Sequence, residues 1–484
     1  DLHPRVRRQR QMCIRDSFMS RERRFYMSKT NNKMELLGNA PISKALMAMG
    51  IPTMLGMMVN AIYNLVDAYF VGGLGTSQMG AISVVYPLGQ VVVGLGLLFG
   101  NGAASYLSRL LGKGDKEKAN QVASTALYSS ITVGAIMIIF SMIFLRPILK
   151  LLGATDSIMP YAVTYASIYI VSCIFNVFNV TMNNIVTSEG AAKTTMLALV
   201  AGAILNIGLD PVFIYVLDMG VAGAAIATAI SQIVSTFVYF TFVLRKKSIY
   251  HFRIKNCTFT KEIMSEIFKI GIPTLVFQIL TSLSISLVNT QARPYGDSVI
   301  AGMGAVTRVV SMGSLMVFGF IKGFQPIAGY SYGAKKFDRL HEAIKTSIIW
   351  STVFCVIYGL ILTIFSNGII SQFTKGDLEM IRVGTQSLRI NGISFILFGF
   401  YTVYSSLFLA LGKGLAGFIL GACRQGICFV PVILILPAFW GINGILYVQP
   451  IADVLSAIIT IFMALHLHRE LALTKQKFLS EKAE

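Results

Sequence analysis

The sequence has few charged residues, which excludes most soluble folds. Only 13% of its 484 residues are charged, against about 25% in an ordinary soluble domain, while 55% are hydrophobic. This composition predicts a membrane protein. The formal net charge of +19 is therefore expected in loops at the membrane surface, and we expect no binding to nucleic acid.

The residues and motifs of most catalytic and cofactor sites are also scarce. The sequence contains no HExxH or GxxxxGK[ST] motif and no CxxC pair, which argues against a zinc protease, a nucleotide-driven pump, a disulfide framework and a zinc site. Its five histidines lie in tails, loops or the ends of apolar runs. No channel selectivity filter is recognisable. We therefore expect a chain that is not an enzyme and binds no cofactor or nucleotide.

Long apolar runs occupy most of the chain, and each is long enough to cross about 30 Å of hydrocarbon as a helix. Six lie in each half, at roughly 45–71, 81–105, 121–145, 160–184, 195–217, 221–244, 263–290, 299–321, 343–366, 384–411, 415–438 and 442–465. The pattern predicts an all-α membrane protein of about twelve transmembrane helices, with membrane lipid as its surroundings.

Lysine and arginine are concentrated in alternate loops. The loops near residues 109–118, 245–261 and 335–339 and the C-terminal tail are rich in basic residues, whereas the opposite loops carry few. By the positive-inside rule both termini are expected to be cytoplasmic. We expect a multi-pass protein of the bacterial plasma (inner) membrane that is monomeric.

The two halves of the sequence resemble each other at an offset of 221 residues. The segment GIPT at 50–53 recurs at 271–274, and the same offset relates Gly112 to Gly333 and Gly220 to Gly441. Six helices per copy is an even number, so both copies enter the membrane from the same side. The sequence thus predicts two parallel six-helix repeats, and repeat interfaces are where transporters bind substrates.

Acidic residues within the predicted spans mark a candidate cation site. Asp67 in the first span and Asp210 in the fifth lie about 6 Å and about 10 Å from the outer ends of their helices, at 1.5 Å per residue. Thr228 in the sixth span reaches a similar depth, and Asn206 shares a helix face with Asp210. Four such oxygen-bearing side chains suit a proton or a sodium ion. Alternatively, Asn206 and Asp210 bond backbone groups freed by Pro211.

A third acidic residue, Asp453, is predicted near the middle of the last span. It either forms a second coupling or substrate site or pairs with one of three arginines, Arg308, Arg389 or Arg424. An intramembrane carboxylate is costly unless it is paired or functional, and both interpretations satisfy that condition.

Several segments together resemble the multidrug and toxic compound extrusion (MATE) family, in its bacterial MepA-like branch. They are the two GIPT segments, VDAYFVGGLG at 66–75, LSRLLGKGDKEKA after the second helix, LNIGLDPVFI at 205–214 and GVAGAAIATAISQ at 220–232. The resemblance extends from Met34 to the last span. It implies two six-helix lobes around a central cleft and the export of lipophilic cationic drugs in exchange for protons or sodium ions.

The resemblance also implies which residues couple transport to the cation. The family places an aspartate in the first helix, an asparagine and an aspartate four residues apart in the fifth, and a threonine in the sixth; Asp67, Asn206, Asp210 and Thr228 stand there. Some relatives carry further acids in the seventh and tenth helices. Here the seventh offers Gln278 and no carboxylate, and the tenth has none, so Asp453 and Gln278 are the candidates for a second coupling or substrate site in that half.

The predicted organisation is a series of segments set by the spans and loops. It comprises a basic tail that is not native or is disordered (1–26), a cytoplasmic N-terminus (27–44), an N-lobe (45–245), a cytoplasmic inter-lobe loop (246–262), a C-lobe (263–466) and a cytoplasmic tail (467–484). Residues 1–26 are set apart because Met27 reads as a start and MCIRDS resembles translated adapter sequence. A flippase for a lipid-linked saccharide is the alternative function, since three arginines lie within C-lobe spans.

Overall fold

The structure is a computed structural model that describes residues 33–483, except residues 73, 75, 375 and 376. The tail predicted over 1–26 lies outside the described residues. Within them the regular elements are helices, as the apolar runs predict. Eleven helical stretches of this part of the chain are long and apolar enough to cross a membrane.

We number the membrane helices α1–α12. They are α1 (Ile42–Gly72), α2 (Thr76–Lys113), α3 (Lys116–Ile143), α4 (Met159–Ser188), α5 (Ala192–Pro211), α6 (Gly220–Leu244), α7 (Lys261–Ala292), α8 (Asp297–Gly333), α9 (Phe337–Ile364), α10 (Leu378–Ser394, continued by Phe395–Leu397 and Phe398–Ala410), α11 (Gly414–Ala422, continued by Cys423–Ile427 and the start of Phe429–Ala483) and α12 (the rest of Phe429–Ala483). Short helices at Leu145–Leu151 and Ser366–Ser371 follow α3 and α9.

The last helical stretch crosses the membrane twice. Gly414–Glu481 has 68 residues, and Gly441 interrupts it with φ 56°. Its repeat equivalent, Gly220, begins α6 with φ 53°. Both values lie in the left-handed region that glycine adopts at little cost, so the two repeats enter their sixth helix through the same backbone turn. The described part of the chain therefore contains twelve membrane passes, as predicted.

Three of the helices are much longer than the apolar runs indicate. The second, eighth and twelfth spans were expected to end near residues 105, 321 and 465, but α2 continues to Lys113, α8 to Gly333 and α12 to Ala483. These boundaries are wrong because the added turns contain polar residues that are satisfied between helices. Arg109 of α2, for example, donates to Glu266 of α7 at 2.7 Å.

The contacts between the two lobes, α1–α6 and α7–α12, follow the repeat. A Cβ on Gly112 of α2 would lie 2.2 Å from the carbonyl oxygen of Tyr330, and one on Gly333 of α8 would lie 2.1 Å from that of Arg109. Each pair is related to the other by the offset of 221 residues. The contact is therefore self-complementary, as a two-fold axis between parallel repeats requires, and only glycine permits so close an approach.

This glycine contact closes the side of the bundle on which both ends of the described chain, Lys33 and Ala483, lie; it is here called the terminal side. A short segment, residues 33–40, lies across it and is named the terminal strap. Lys33 donates to Glu189 of the N-lobe at 3.2 Å, while Arg339 of the C-lobe donates to the carbonyl oxygen of Leu37 at 3.1 Å. The terminal strap thereby connects the two lobes.

The lobes separate toward the opposite, far side. Gln278 of α7 donates to Gln90 of α2 at 3.0 Å, which joins the lobes near mid-membrane. Gln90 also donates to the hydroxyl of Tyr86, one helical turn farther out. Tyr86 is 58% exposed although it continues the same helix face. A central cleft therefore opens to the far side beyond the two glutamines.

Candidate functional site

Helices α1, α5 and α6 bring the four predicted N-lobe residues together. Asp210 lies one residue before the end of α5 and is fully buried, whereas Asp67 of α1 is half-buried. Their carboxyl groups are close enough to form a hydrogen bond once one of them is protonated. Asp67 and Asp210, which the sequence places at similar depths in two different helices, therefore also lie next to each other in the structure.

Asn206 connects Asp210 to Thr228. Its side-chain nitrogen donates to Asp210 Oδ2 at 2.9 Å, and its side-chain oxygen accepts from the backbone N–H of Thr228 at 3.2 Å. The opposite amide orientation would direct the oxygen at the carboxylate, acceptor against acceptor. Asn206 therefore orients the carboxylate of Asp210 and joins α5 to α6.

The second oxygen of Asp210, Oδ1, is buried without a hydrogen-bond donor among the described residues. In the same part of the chain no lysine or arginine nitrogen lies within 4.0 Å of Asp67 or Asp210. The interpretation that Asp210 serves to bond freed backbone groups therefore has no contact to support it. An unpaired buried carboxylate oxygen is costly, and a proton or a cation at this position would relieve that cost.

Two tyrosines that the sequence analysis did not identify complete the surroundings. The hydroxyl of Tyr63, one turn before Asp67 in α1, faces the Thr228 side chain. Tyr165 of α4 lies near both carboxylates. The i, i+4 spacing to Asp67 was the available signal for Tyr63, whereas nothing in the local sequence marks Tyr165.

The C-lobe aspartate has a different environment. Asp453 Oδ1 accepts from Arg424 Nε at 2.8 Å and from Gln449 Nε2 at 2.8 Å, and its Oδ2 accepts from Ser394 at 2.9 Å. Arg424 lies in the π-helical turn Cys423–Ile427 of α11. Of the three arginines considered, the structure selects Arg424, which neutralises Asp453.

The remaining candidate, Gln278, lies between the lobes and not beside an acid. Its side chain bonds Gln90 of the opposite lobe, and Asp453 is instead bound by Arg424 and its neighbours. The structure therefore does not bring Gln278 and Asp453 into one site; Gln278 lies where the cleft begins to open.

Comparison with known proteins shows which family the chain belongs to. The MatE family model matches residues 52–212 and again 273–435, and the two matches begin 221 residues apart. This chain belongs to the MatE family. The family resemblance seen in the sequence is thereby confirmed, and so is a two-lobed bundle of membrane helices. MATE proteins are transporters and not enzymes, and this chain is a multi-pass membrane transporter.

Relatives and solved structures cover nearly the whole MATE bundle. The chain is 32% identical over 421 residues to the multidrug export protein MepA of Staphylococcus aureus (strain NCTC 8325 / PS 47), covering 87% of this chain and 92% of that protein. It is 30% identical to MepA of Staphylococcus saprophyticus, covering 90% and 97%. A MATE family multidrug resistance transporter solved in an outward-facing conformation superposes with TM-score 0.86 at 26% identity, covering 90% and 98%.

Proposed function

We propose that this MATE protein is a secondary active multidrug efflux antiporter, which exports lipophilic cationic compounds in exchange for protons or sodium ions. The main support for the proposal is that the carboxylates of Asp67 and Asp210 are adjacent and have no basic partner among the described residues. Two ionised carboxylates at this distance repel each other, so the pair gains from binding a cation.

The proposed exchange follows from differential affinity. In one state of the bundle the deprotonated pair favours binding of a lipophilic cation in the cleft, and entry of a proton or sodium ion favours its release. Each ligand shifts the two states only by the difference between its affinities for them. The cleft opens to the far side here, so a coupling ion from that side has access to the half-buried Asp67 first. Asn206 and Thr228 then hold the Asp210 carboxylate in position.

The proposal also includes the orientation of the protein in the membrane. With the basic loops and both termini in the cytoplasm, the far side is outside the cell and the cleft of this structure faces outward. The protein then acts as a monomer in the bacterial plasma membrane, where efflux of this kind contributes to antibiotic resistance.

The flippase alternative rests on three arginines of the C-lobe. Arg424 is neutralised by Asp453, and Arg389 donates to Ser366 at 2.9 Å. Arg308 is exposed. A cavity that carries a lipid-linked saccharide needs basic groups directed at its phosphates, and two of the three arginines have other partners.

The test is ethidium efflux from vesicles with an imposed proton or sodium gradient. The Asp67→Asn and Asp210→Asn variants are compared with Asp156→Asn, the same change at an exposed loop acid. We expect gradient-driven efflux to be abolished in the first two variants and unchanged in the third. Efflux that responds to the gradient equally in all three would contradict the coupling site.

A further inference from the structure

A basic pocket lies on the terminal side of the C-lobe, away from the central cleft. It forms where the end of α12 packs against the turn between α8 and α9, and its volume is about 320 Å³. One acid, Asp338, lines it together with four bases, which are Lys335, Lys336, Arg339 and Lys475. Small-molecule sites have volumes of about 300–1,000 Å³, so the basic pocket has room for a small anion.

One of the four bases is paired with an acid and three are not. Lys475 pairs with Asp338. In the described part of the chain no carboxylate oxygen lies within 4.0 Å of a side-chain nitrogen of the other three bases. Two of these, Lys336 and Arg339, donate to neutral carbonyl oxygens of the terminal strap. Glu342, one turn after Arg339, is the next acid of α9, and the bases outnumber the acids even when it is included.

The internal repeat shows that two of these lysines are unfavourable for the local backbone. At the offset of 221 residues, Lys335 corresponds to Gly114 and Lys336 to Asp115. Gly114 has φ 80° and Lys335 has φ 55°, in the left-handed region that glycine adopts at little cost and lysine does not. Asp115 caps α3, whereas Lys336 forms no capping hydrogen bond and places a positive charge at a helix start, which the helix dipole disfavours. An anion beside Lys336 relieves that repulsion.

Aromatic rings form one wall of the basic pocket. The ring centroids of Phe337 and Phe478 lie 6.4 Å apart, and Lys335 Nζ lies 4.5 Å from the centroid of the Phe478 ring. A cation–π contact of this kind positions an ammonium group but does not neutralise it. The bases converge from α9, α12 and the turn before α9, and phosphate oxygens are strong acceptors for such charged donors. The ligand that this chemistry fits is therefore a phosphate-bearing anion.

The height of the basic pocket above the membrane favours a ligand from the aqueous phase. Leu465 of α12 is 55% exposed and ends the apolar surface of that helix. Lys475 lies ~15 Å farther along α12, at 1.5 Å per residue, whereas the headgroup layer on each side of the hydrocarbon is about 5–8 Å thick. A lipid phosphate at the bilayer surface therefore lies below the pocket.

We propose that the basic pocket binds a water-soluble, phosphate-bearing anion. The anion balances the charges of Lys335, Lys336 and Arg339 and joins the end of α12 to the turn between α8 and α9. This site is separate from the central cleft and from Asp67 and Asp210. The proposal therefore goes beyond the proposed efflux function and is tested without transport.

The test measures binding of inorganic pyrophosphate to the purified full-length protein in dodecyl maltoside by isothermal titration calorimetry. For Lys335→Gln we expect Kd to rise about tenfold, which corresponds to the loss of about 1.4 kcal/mol. Lys475→Gln, on the opposite wall, should weaken binding as well, and Lys335→Arg should bind like the native chain. Lys477→Gln is the matched control, because it removes the same charge from α12 outside the pocket lining, and it should leave Kd unchanged.

Hydrogen exchange distinguishes a lost ligand contact from a loosened helix. Exchange over residues 470–481 should slow on addition of pyrophosphate in the native chain and in Lys477→Gln, but not in Lys335→Gln. Without pyrophosphate all three proteins should exchange alike. Native protein that does not bind pyrophosphate would overturn the proposal. Unchanged binding in Lys335→Gln, or equal weakening in Lys335→Gln and Lys477→Gln, would overturn it too, since the attraction would then come from net charge alone.

Nanodiscs separate a soluble ligand from a lipid headgroup. The ratio of the Kd of Lys335→Gln to that of the native chain is measured in discs of phosphatidylcholine and in discs that also contain phosphatidylglycerol. A ratio cancels the general repulsion of pyrophosphate by an anionic surface, so it should stay about tenfold in both. A ratio that falls to one in phosphatidylglycerol would overturn the proposal, because an anionic lipid would then occupy the basic pocket.

Discussion

Asp210 and Asp453 are both buried in helices of the bundle, yet their surroundings differ in charge. Asp453 is satisfied by Arg424, Gln449 and Ser394, whereas one oxygen of Asp210 has no donor in the described part of the chain. A neutralised carboxylate stabilises a packing arrangement, and an unsatisfied one has capacity for a ligand. At the residue scale this difference is the reason to assign the coupling role to the N-lobe pair.

The first prediction concerns the buried ion pair. Asp453→Asn should destabilise the protein by about 3–5 kcal/mol, because it leaves the Arg424 charge buried without a counter-ion. Thermal unfolding of the purified protein in detergent measures the effect. The double variant Asp453→Leu with Arg424→Met should recover most of the stability, since it removes both charges. A single variant as stable as the native chain would show that the pair contributes nothing.

Helix ends in this bundle are held by specific side chains. Asp115 accepts from the Lys118 N–H at the start of α3, and Asp377 accepts from the Met380 N–H at the start of α10, both at 3.0 Å. Asp377 also accepts from the Ser298 hydroxyl at 2.6 Å. The element therefore begins where a side chain satisfies its first free N–H groups, and α10 is connected to α8 at the same point.

The second prediction concerns the pH dependence of that cap. Hydrogen bonds from the Met380 N–H and the Ser298 hydroxyl hold the pKa of Asp377 below its usual value. A depressed folded-state pKa means that the stabilisation is present above the unfolded pKa of about 3.9 and is lost as the pH falls through the folded-state pKa.

Asp377→Ala should accordingly lower the unfolding temperature near pH 7 and differ less from the native chain near pH 3. Asp377→Asn is the matched control, because its side chain still caps the helix but carries no titrating charge, so its own cap should not weaken with pH. A difference between the native chain and Asp377→Ala that is constant with pH would contradict the prediction.

The third prediction concerns the terminal strap. Arg339 donates to the carbonyl oxygens of Leu36, Leu37 and Ala40, so Arg339→Ala should free the strap from the C-lobe. Hydrogen exchange over residues 33–40 should become faster, while exchange in α4 should not change. Lys345→Ala on the same helix is the control. Lys336 also donates to the strap, at the carbonyl oxygen of Gly38, so unchanged exchange would show that Lys33 and Lys336 hold the strap without Arg339.

At the scale of the whole molecule, two parallel lobes meet through glycines on the terminal side and separate toward the far side. The reciprocal contacts of Gly112 with Tyr330 and of Gly333 with Arg109 bring two backbones together without intervening side chains. Such a contact tolerates no added volume, so a larger side chain there should push the two lobes apart on the terminal side.

The fourth prediction tests this closure. Gly333→Leu should shift the bundle away from the terminally closed state, because overpacking costs about 1–3 kcal/mol and that difference changes a two-state ratio by about 5- to 150-fold. Distances between spin labels at residues 116 and 335, measured by double electron–electron resonance in a background without native cysteines, should lengthen.

Gly304→Leu is the matched control on the same helix, since no atom lies within 4 Å of a Cβ placed there. Its distance distribution should equal that of the native chain. Lengthened distances in both variants would mean that leucine disturbs α8 in general and that the glycine contact has no special role.

The number of membrane passes and the duplication can be read from the sequence alone. These properties follow from local hydropathy and a constant offset of 221 residues. The helix lengths of α2 and α8 did not follow, because Arg109 and Lys322 read as the ends of apolar runs although side chains of other helices accept hydrogen bonds from them.

The packing of the helices into a bundle determines which groups become partners. It joined Asp453 to Arg424 and not to Arg308 or Arg389, brought Tyr165 of α4 to the two N-lobe carboxylates and gave Lys322 no acidic partner among the described residues. Depth along a helix can be counted from the sequence, but the rotation and neighbours of each helix depend on packing between segments far apart in the chain. Pairing of buried charges is therefore a property of the assembled bundle.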